Sequence, residues 1–113
     1  MSNKNIGEST KAALAIKTAR TATGLNQLEF AELISVSKTT LARIETFEMP
    51  LKLETYFKAV RELKALGIEI DAMSEESIDI RITPTGQMRV MKRWSNMANR
   101  RSDKKPRSDR VKK

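Results

Sequence analysis

Apolar residues recur at Ala12, Ala13, Ile16 and Ala19, which places one helical face along a segment from about Thr10 to Thr23. Gly24 ends that segment, because glycine tolerates the left-handed conformation common at helix C-termini. Asn26 is a good N-cap, and Glu29 three residues later completes a capping-box pattern. A short helix is expected to follow, with Phe30, Ala31 and Ile34 inward and an end near Ile34. Ser35-Val36-Ser37 brings a turn and a second cap, and Ser37 opens a third helix through Leu41 and Ile44 to about Thr46. Met49-Pro50 breaks the chain, since the residue before proline disfavours helix. Leu53, Tyr56, Phe57, Val60, Leu63 and Leu66 form a fourth stripe, closed by Gly67.

The period then changes. Ile68 and Ile70 alternate with Glu69 and Asp71, and Ile78, Ile80 and Ile82 alternate with Asp79, Arg81 and Thr83. Alternation of β-branched residues predicts two short strands joined by Ala72–Ser77. A two-stranded hairpin is marginal alone in water, so it needs cover, and the simplest cover is the same hairpin of a second subunit. Ile68, Ile70, Ile78, Ile80 and Ile82 are the expected dimer contacts. After Pro84 and Gly86, Met88, Met91, Trp94 and Met97 fall at steps of three, the mark of an amphipathic helix whose stripe suits a core or a dimer contact. The expected organisation is a loose arm over 1–8, a helical domain over 9–67, a hairpin over 68–83, a basic helix over 84–101 and a disordered basic tail over 102–113.

Composition narrows the chemistry. The 113 residues carry a formal charge of +8 and contain neither Cys nor His. Disulfides, thiol catalysis, an imidazole base and the usual zinc sites are thereby excluded. From Arg89 to Lys113 eleven Lys/Arg face two Asp/Glu, a net of +9, whereas residues 1–88 sum to −1. The basic character therefore belongs to the C-terminal end, where it suits nucleic acid, anionic lipid or an acidic protein. Ser2 to Lys11 is mostly polar and the apolar run Ala12–Ile16 stops at Lys17, so a soluble, cytoplasmic protein is expected, with no membrane partner. Glu75-Glu76 and Asp71 with Asp79 lack the spacing of a calcium loop. No nucleophile–base pair or phosphate-binding glycine loop is present, so the expectation is a non-enzyme without cofactor or small-molecule ligand.

Function is concentrated between Gly24 and Thr46, where two short capped helices separated by a tight turn make a helix-turn-helix. At about 100° per residue, Lys38, Thr39, Ala42 and Arg43 gather on one side of the second helix, opposite Leu41 and Ile44. A short, polar, cationic face of that shape fits a DNA major groove. Arg43 can donate twice to guanine O6 and N7, and Lys38 can donate to the same atoms or to a phosphate. Ser37, Thr39 and Thr40 add hydroxyls, Thr39 and Thr40 also add methyl groups, and Ala42 lets the helix approach closely. Gln27, with exposed backbone N–H groups, is a phosphate-contact candidate.

The run GLNQLEFAELISVSKTTLARIE resembles the Cro/repressor-type (Xre-like) helix-turn-helix family, and the likeness extends from Ile16 to Thr55. The resemblance implies that Gln27 positions a phosphate, that Lys38, Thr39 and Arg43 read bases, and that Arg20 and Glu45 form a structural ion pair. Three departures stand out: Ser35 replaces the usual turn glycine, Leu28 and Leu33 occupy usually polar positions, and the fourth helix is longer. LETYFKAVRELKALGIEI is similar to HipB-type antitoxin repressors, which dimerise through a C-terminal strand.

The fold expected is mainly α, a four- to five-helix Cro/repressor-like domain followed by a dimerising hairpin and a basic helix and tail. The function expected is a homodimeric repressor that reads a palindromic double-stranded DNA operator. The alternatives are an antitoxin that binds DNA and masks a toxin protein, using the strands, Leu28 and Leu33, and a tail-driven nonspecific coating protein.

Overall fold

The computed structural model describes residues 7–73 and 76–104. Five helices and one hairpin follow in order: α1 (Glu8–Thr23), α2 (Gln27–Leu33), α3 (Lys38–Glu45), α4 (Leu53–Ala65), β1 (Ile68–Asp71), β2 (Asp79–Ile82) and α5 (Pro84–Lys104). The architecture is mainly helical, with the hairpin after the helix-turn-helix, as the hydrophobic periods predict. Each boundary has a local cause. Gly24 closes α1 with φ of 83°. Asn26 caps α2 with both halves of the capping box formed, and Ser37 caps α3 by accepting from the backbone N–H of Thr40.

The core is assembled from Ile16 and the alanines of α1, Phe30 and Ala31 of α2, Leu41 and Ile44 of α3, and Leu63 and Ala59 of α4. Alanines along α1 let α3 and α4 approach closely, and Phe30 fills the centre, fully buried. Ser9 ties the start of α1 to the loop before α4 by accepting from the backbone N–H of Leu51 at 2.8 Å.

The hairpin is antiparallel, with Ile68 opposite Ile82 and Ile70 opposite Ile80. Its cover differs from the sequence expectation. Ile68 and Ile70 are buried against the chain's own helices, with Ile78, Ile80 and Ile82 half-buried beside the same core. α4 and α1 both pack on β1 and supply the apolar surface that a second subunit was expected to bring. The hydroxyl of Tyr56 accepts from the backbone N–H of Ala72, which pins the end of β1 to α4.

The last helix is longer than its methionine stripe. Thr83 opens it by accepting from the backbone N–H of Gly86 at 3.2 Å, and it continues through Ser102, Asp103 and Lys104, which composition alone assigned to a disordered tail. The buried side of α5 takes in only Met97 of the stripe. Gly86 is buried, with Val90, Arg93 and Met97 half-buried on that side, while Met88, Met91 and Trp94 remain 68, 66 and 54% exposed. The start of α5 crosses the chain at Gly67, where a side chain on Gly67 would collide with the backbone of Gly86. Residues 1–6 of the expected arm and 105–113 of the expected tail lie outside the described residues, and Glu8, assigned to the arm, opens α1.

Candidate nucleic-acid interface

The α3 helix has two unlike faces. Leu41, Ile44 and Glu45 are buried, whereas Ser37, Lys38, Thr39 and Arg43 are exposed, with Thr40 and Ala42 between them. The exposed face offers two cations and two hydroxyls over less than two helical turns, with the small Ala42 side chain between them. Ser37 donates its hydroxyl to Thr40 Oγ1 at 2.9 Å and accepts from the Thr40 N–H at 3.0 Å, so both residues shape the start of α3. The Thr40 hydroxyl proton is left free to point outward.

Glu45 holds this helix in place. It is 1% exposed, and its two oxygens accept from Arg20 Nε at 2.7 Å and Nη2 at 2.9 Å. Arg20 Nη1 donates to the carbonyl of Leu25 at 2.8 Å, and Gln27 Nε2 donates to Glu45 Oε1 at 3.0 Å. The bidentate pair suits the planar guanidinium, and the added donors leave the buried carboxylate well satisfied. The ion pair implied by the family resemblance is thus present, and Gln27 joins it. One Gln27 amide hydrogen is engaged inward, which leaves the second for an outside acceptor.

The turn between α2 and α3 is closed by Ser35 and Val36, whose N–H groups donate to Glu32 and Ala31. Ser35 takes φ of 62°, the left-handed region where glycine is favoured, so the substitution of the usual residue leaves the turn intact but strained. Leu28 and Leu33 stand 51% and 37% exposed on α2.

A second set of contacts ties α5 to the start of this unit. Arg93 Nη2 donates to Glu29 Oε1, the same oxygen that accepts from the Asn26 N–H in the capping box. Trp94 lies on Gly24, so close that a Cβ there would sit 3.0 Å from the indole. Met97 shares a cleft with Arg20, Thr21 and Asn26. Sequence reasoning missed this docking, along with the Gln27–Glu45 bond, because neither periodicity nor local spacing relates residues 18 to 77 positions apart. The expected dimer contacts divide: Ile68 and Ile70 are enclosed, while Ile78, Ile80 and Ile82 keep partly exposed side chains.

Among the described residues no helix is long and apolar enough to cross a membrane. No curated protein and no solved structure matches the chain significantly. A family model described as helix-turn-helix matches residues 16–72, the stretch from the middle of α1 to the end of β1. With the capped α2 and α3, the tight turn and the Arg20–Glu45 pair all inside that stretch, the chain belongs to the Cro/repressor-type (Xre-like) helix-turn-helix family of DNA-binding transcription regulators.

Proposed function

We propose that the chain is a sequence-specific repressor that binds a palindromic operator as a homodimer, each subunit laying α3 in the major groove. The observation that carries this reading is the exposure of Lys38, Thr39 and Arg43 on a helix held from behind by Leu41, Ile44 and Glu45. Arg43 donates to a guanine edge, Lys38 to a base or phosphate, and Thr39 and Thr40 offer hydroxyl and methyl groups, with Ala42 allowing close approach. Gln27 contributes its remaining amide hydrogen to a phosphate, and Ser37 fixes the angle at which α3 enters. Occupancy of a promoter by so compact a dimer represses by excluding other proteins.

Two surfaces support self-association. Among the described residues β2 pairs with β1 along one side only, and its other edge carries Ile80 and Ile82, the Ile82 carbonyl accepting from Gln87 Nε2 at 3.0 Å. Met88 and Met91 add an apolar strip on the outer face of α5. A two-fold dimer presents its reading helices about one helical turn of DNA, ~34 Å, apart. The same strip, with exposed Leu28, favours a second reading in which a toxin protein covers it and the chain acts as an antitoxin.

Selection from random duplex DNA by the full chain at about 0.15 M salt tests the main reading, and sedimentation tests the dimer. A palindromic motif bound by two chains supports it. A monomer that selects one half-site sinks the dimer, and a chain without sequence preference sinks the operator reader.

A further inference from the structure

We infer that α5 is a second DNA-binding element, a docked basic helix that grips the phosphate backbone beside the bases read by α3. The inference rests on the reading of α3 as the DNA-facing helix. It begins with the placement of charge. Residues 7–83 contain ten Lys/Arg and twelve Asp/Glu, a net of −2, so the reading domain alone gains no long-range attraction to a polyanion. Residues 84–104 contain six Lys/Arg and one Asp, a net of +5. Arg93 is held by Glu29, but among the described residues no ion pair joins the exposed Arg89 or Lys92 to a carboxylate.

The helix has a fixed address. α5 is fastened at Gly67, where the Thr83 N–H and hydroxyl both donate to the Gly67 carbonyl, and again at Glu29 and Gly24 through Arg93 and Trp94. Its course runs from the end of α4 to the corner where α1 ends and α2 begins. Met97 lies there beside Asn26, and Gln27, the next residue, is bonded to Glu45 at the end of α3. From Met97 the helix continues seven residues to Lys104, about 10 Å, through a sequence that holds Arg100 and Arg101. Duplex DNA carries one phosphate charge per ~1.7 Å of axis, so a helix leaving that corner meets several within its length. A free basic tail must be ordered on binding. A helix already docked on the domain loses less conformational entropy when its cations meet phosphate.

The test compares full-length chains on a duplex of about thirty base pairs carrying the selected motif, with a random-sequence duplex alongside. The first variant neutralises Arg89, Lys92, Arg100, Arg101 and Lys104 to Gln and keeps Arg93. The second, Arg93→Met with Trp94→Ala, releases α5 while removing one charge. The third ends at Lys104. Circular dichroism and thermal melting show whether each still folds. The expected result for the first is a log K against log salt slope shallower by about 2–4, near 0.9 per lost phosphate, with the motif unchanged. Backbone cleavage protection beside the motif disappears in the first and second variants and persists in the third. A slope within about one of the parent's and unchanged flanking protection in the first variant would overturn the inference. So would loss of that protection on removing the last nine residues alone. If the parent selects no motif, the reading of α3 fails instead, and the slopes on random duplex still decide whether α5 binds DNA.

Discussion

Gln27 and Arg20 donate to the same oxygen of Glu45, at 3.0 and 2.9 Å, so the start of α2 and the end of α1 meet on one atom of the reading helix. Few arrangements fix the relative pose of three helices with so small a group. The buried carboxylate is also the point at which the frame is easiest to break.

Glu45→Ala leaves the Arg20 guanidinium, 13% exposed, without its partner. Removing one member of a buried pair costs about 3–5 kcal/mol, so urea unfolding should show a loss of that size. Replacing both, as in Arg20→Met with Glu45→Leu, should recover most of it. A loss below about 1 kcal/mol for Glu45→Ala would mean that the pair contributes nothing net to the fold.

Arg43→Ala should leave stability within about 0.5 kcal/mol, because the side chain is exposed. Its effect belongs to binding, with about 1–3 kcal/mol lost and preference relaxed at one base pair per half-site. Selection repeated with the variant reads both. Binding that retains the parent's full preference would remove Arg43 from the base readers.

Ser35→Gly should stabilise the chain by about 0.5–1 kcal/mol. The backbone at this position already has φ of 62°, and relief of left-handed strain outweighs the added freedom of glycine in the unfolded chain. Thermal melting of the two chains gives the sign directly, and a lower melting temperature for the glycine variant contradicts the account.

Gly67→Ala places a methyl group against the backbone of Gly86 at a residue with φ of 90°. A loss of about 2 kcal/mol or more is expected, with the start of α5 pushed from the hairpin. Trp94 is the only tryptophan, and it rests on Gly24, so its fluorescence should shift toward that of a solvated indole. An unshifted spectrum with unchanged stability would show that the two strands of backbone can separate freely.

Local patterns made most of the fold legible. The capping box at Asn26 and Glu29, the Ser37 cap and Gly24 each set a helix end by contacts within four residues, and those ends lie within one or two positions of expectation. The exposed side of α3 was legible for the same reason, since helical spacing alone separates Arg43 from Leu41. What covers each apolar face was not. Ile68 and Ile70 read as dimer contacts, and only the packing of α1 and α4 on the hairpin shows that they are enclosed within the chain's own core. The methionine stripe of α5 misled in the opposite direction. Small Gly86 and the ion-paired Arg93 lie on its buried side, because the crossing at Gly67 and the position of Glu29 dictate how the helix rotates.

Six of the eight residues of α3 divide between those that hold the helix and those that face outward, with Thr40 and Ala42 between them. Leu41, Ile44 and Glu45 take no part in the outward surface, and Lys38, Thr39 and Arg43 take none in the core. Operator preference and foldability are therefore nearly independent inheritances. The outward residues can drift, or be exchanged by an engineer, toward a new target sequence while the same frame presents each new combination at the same angle.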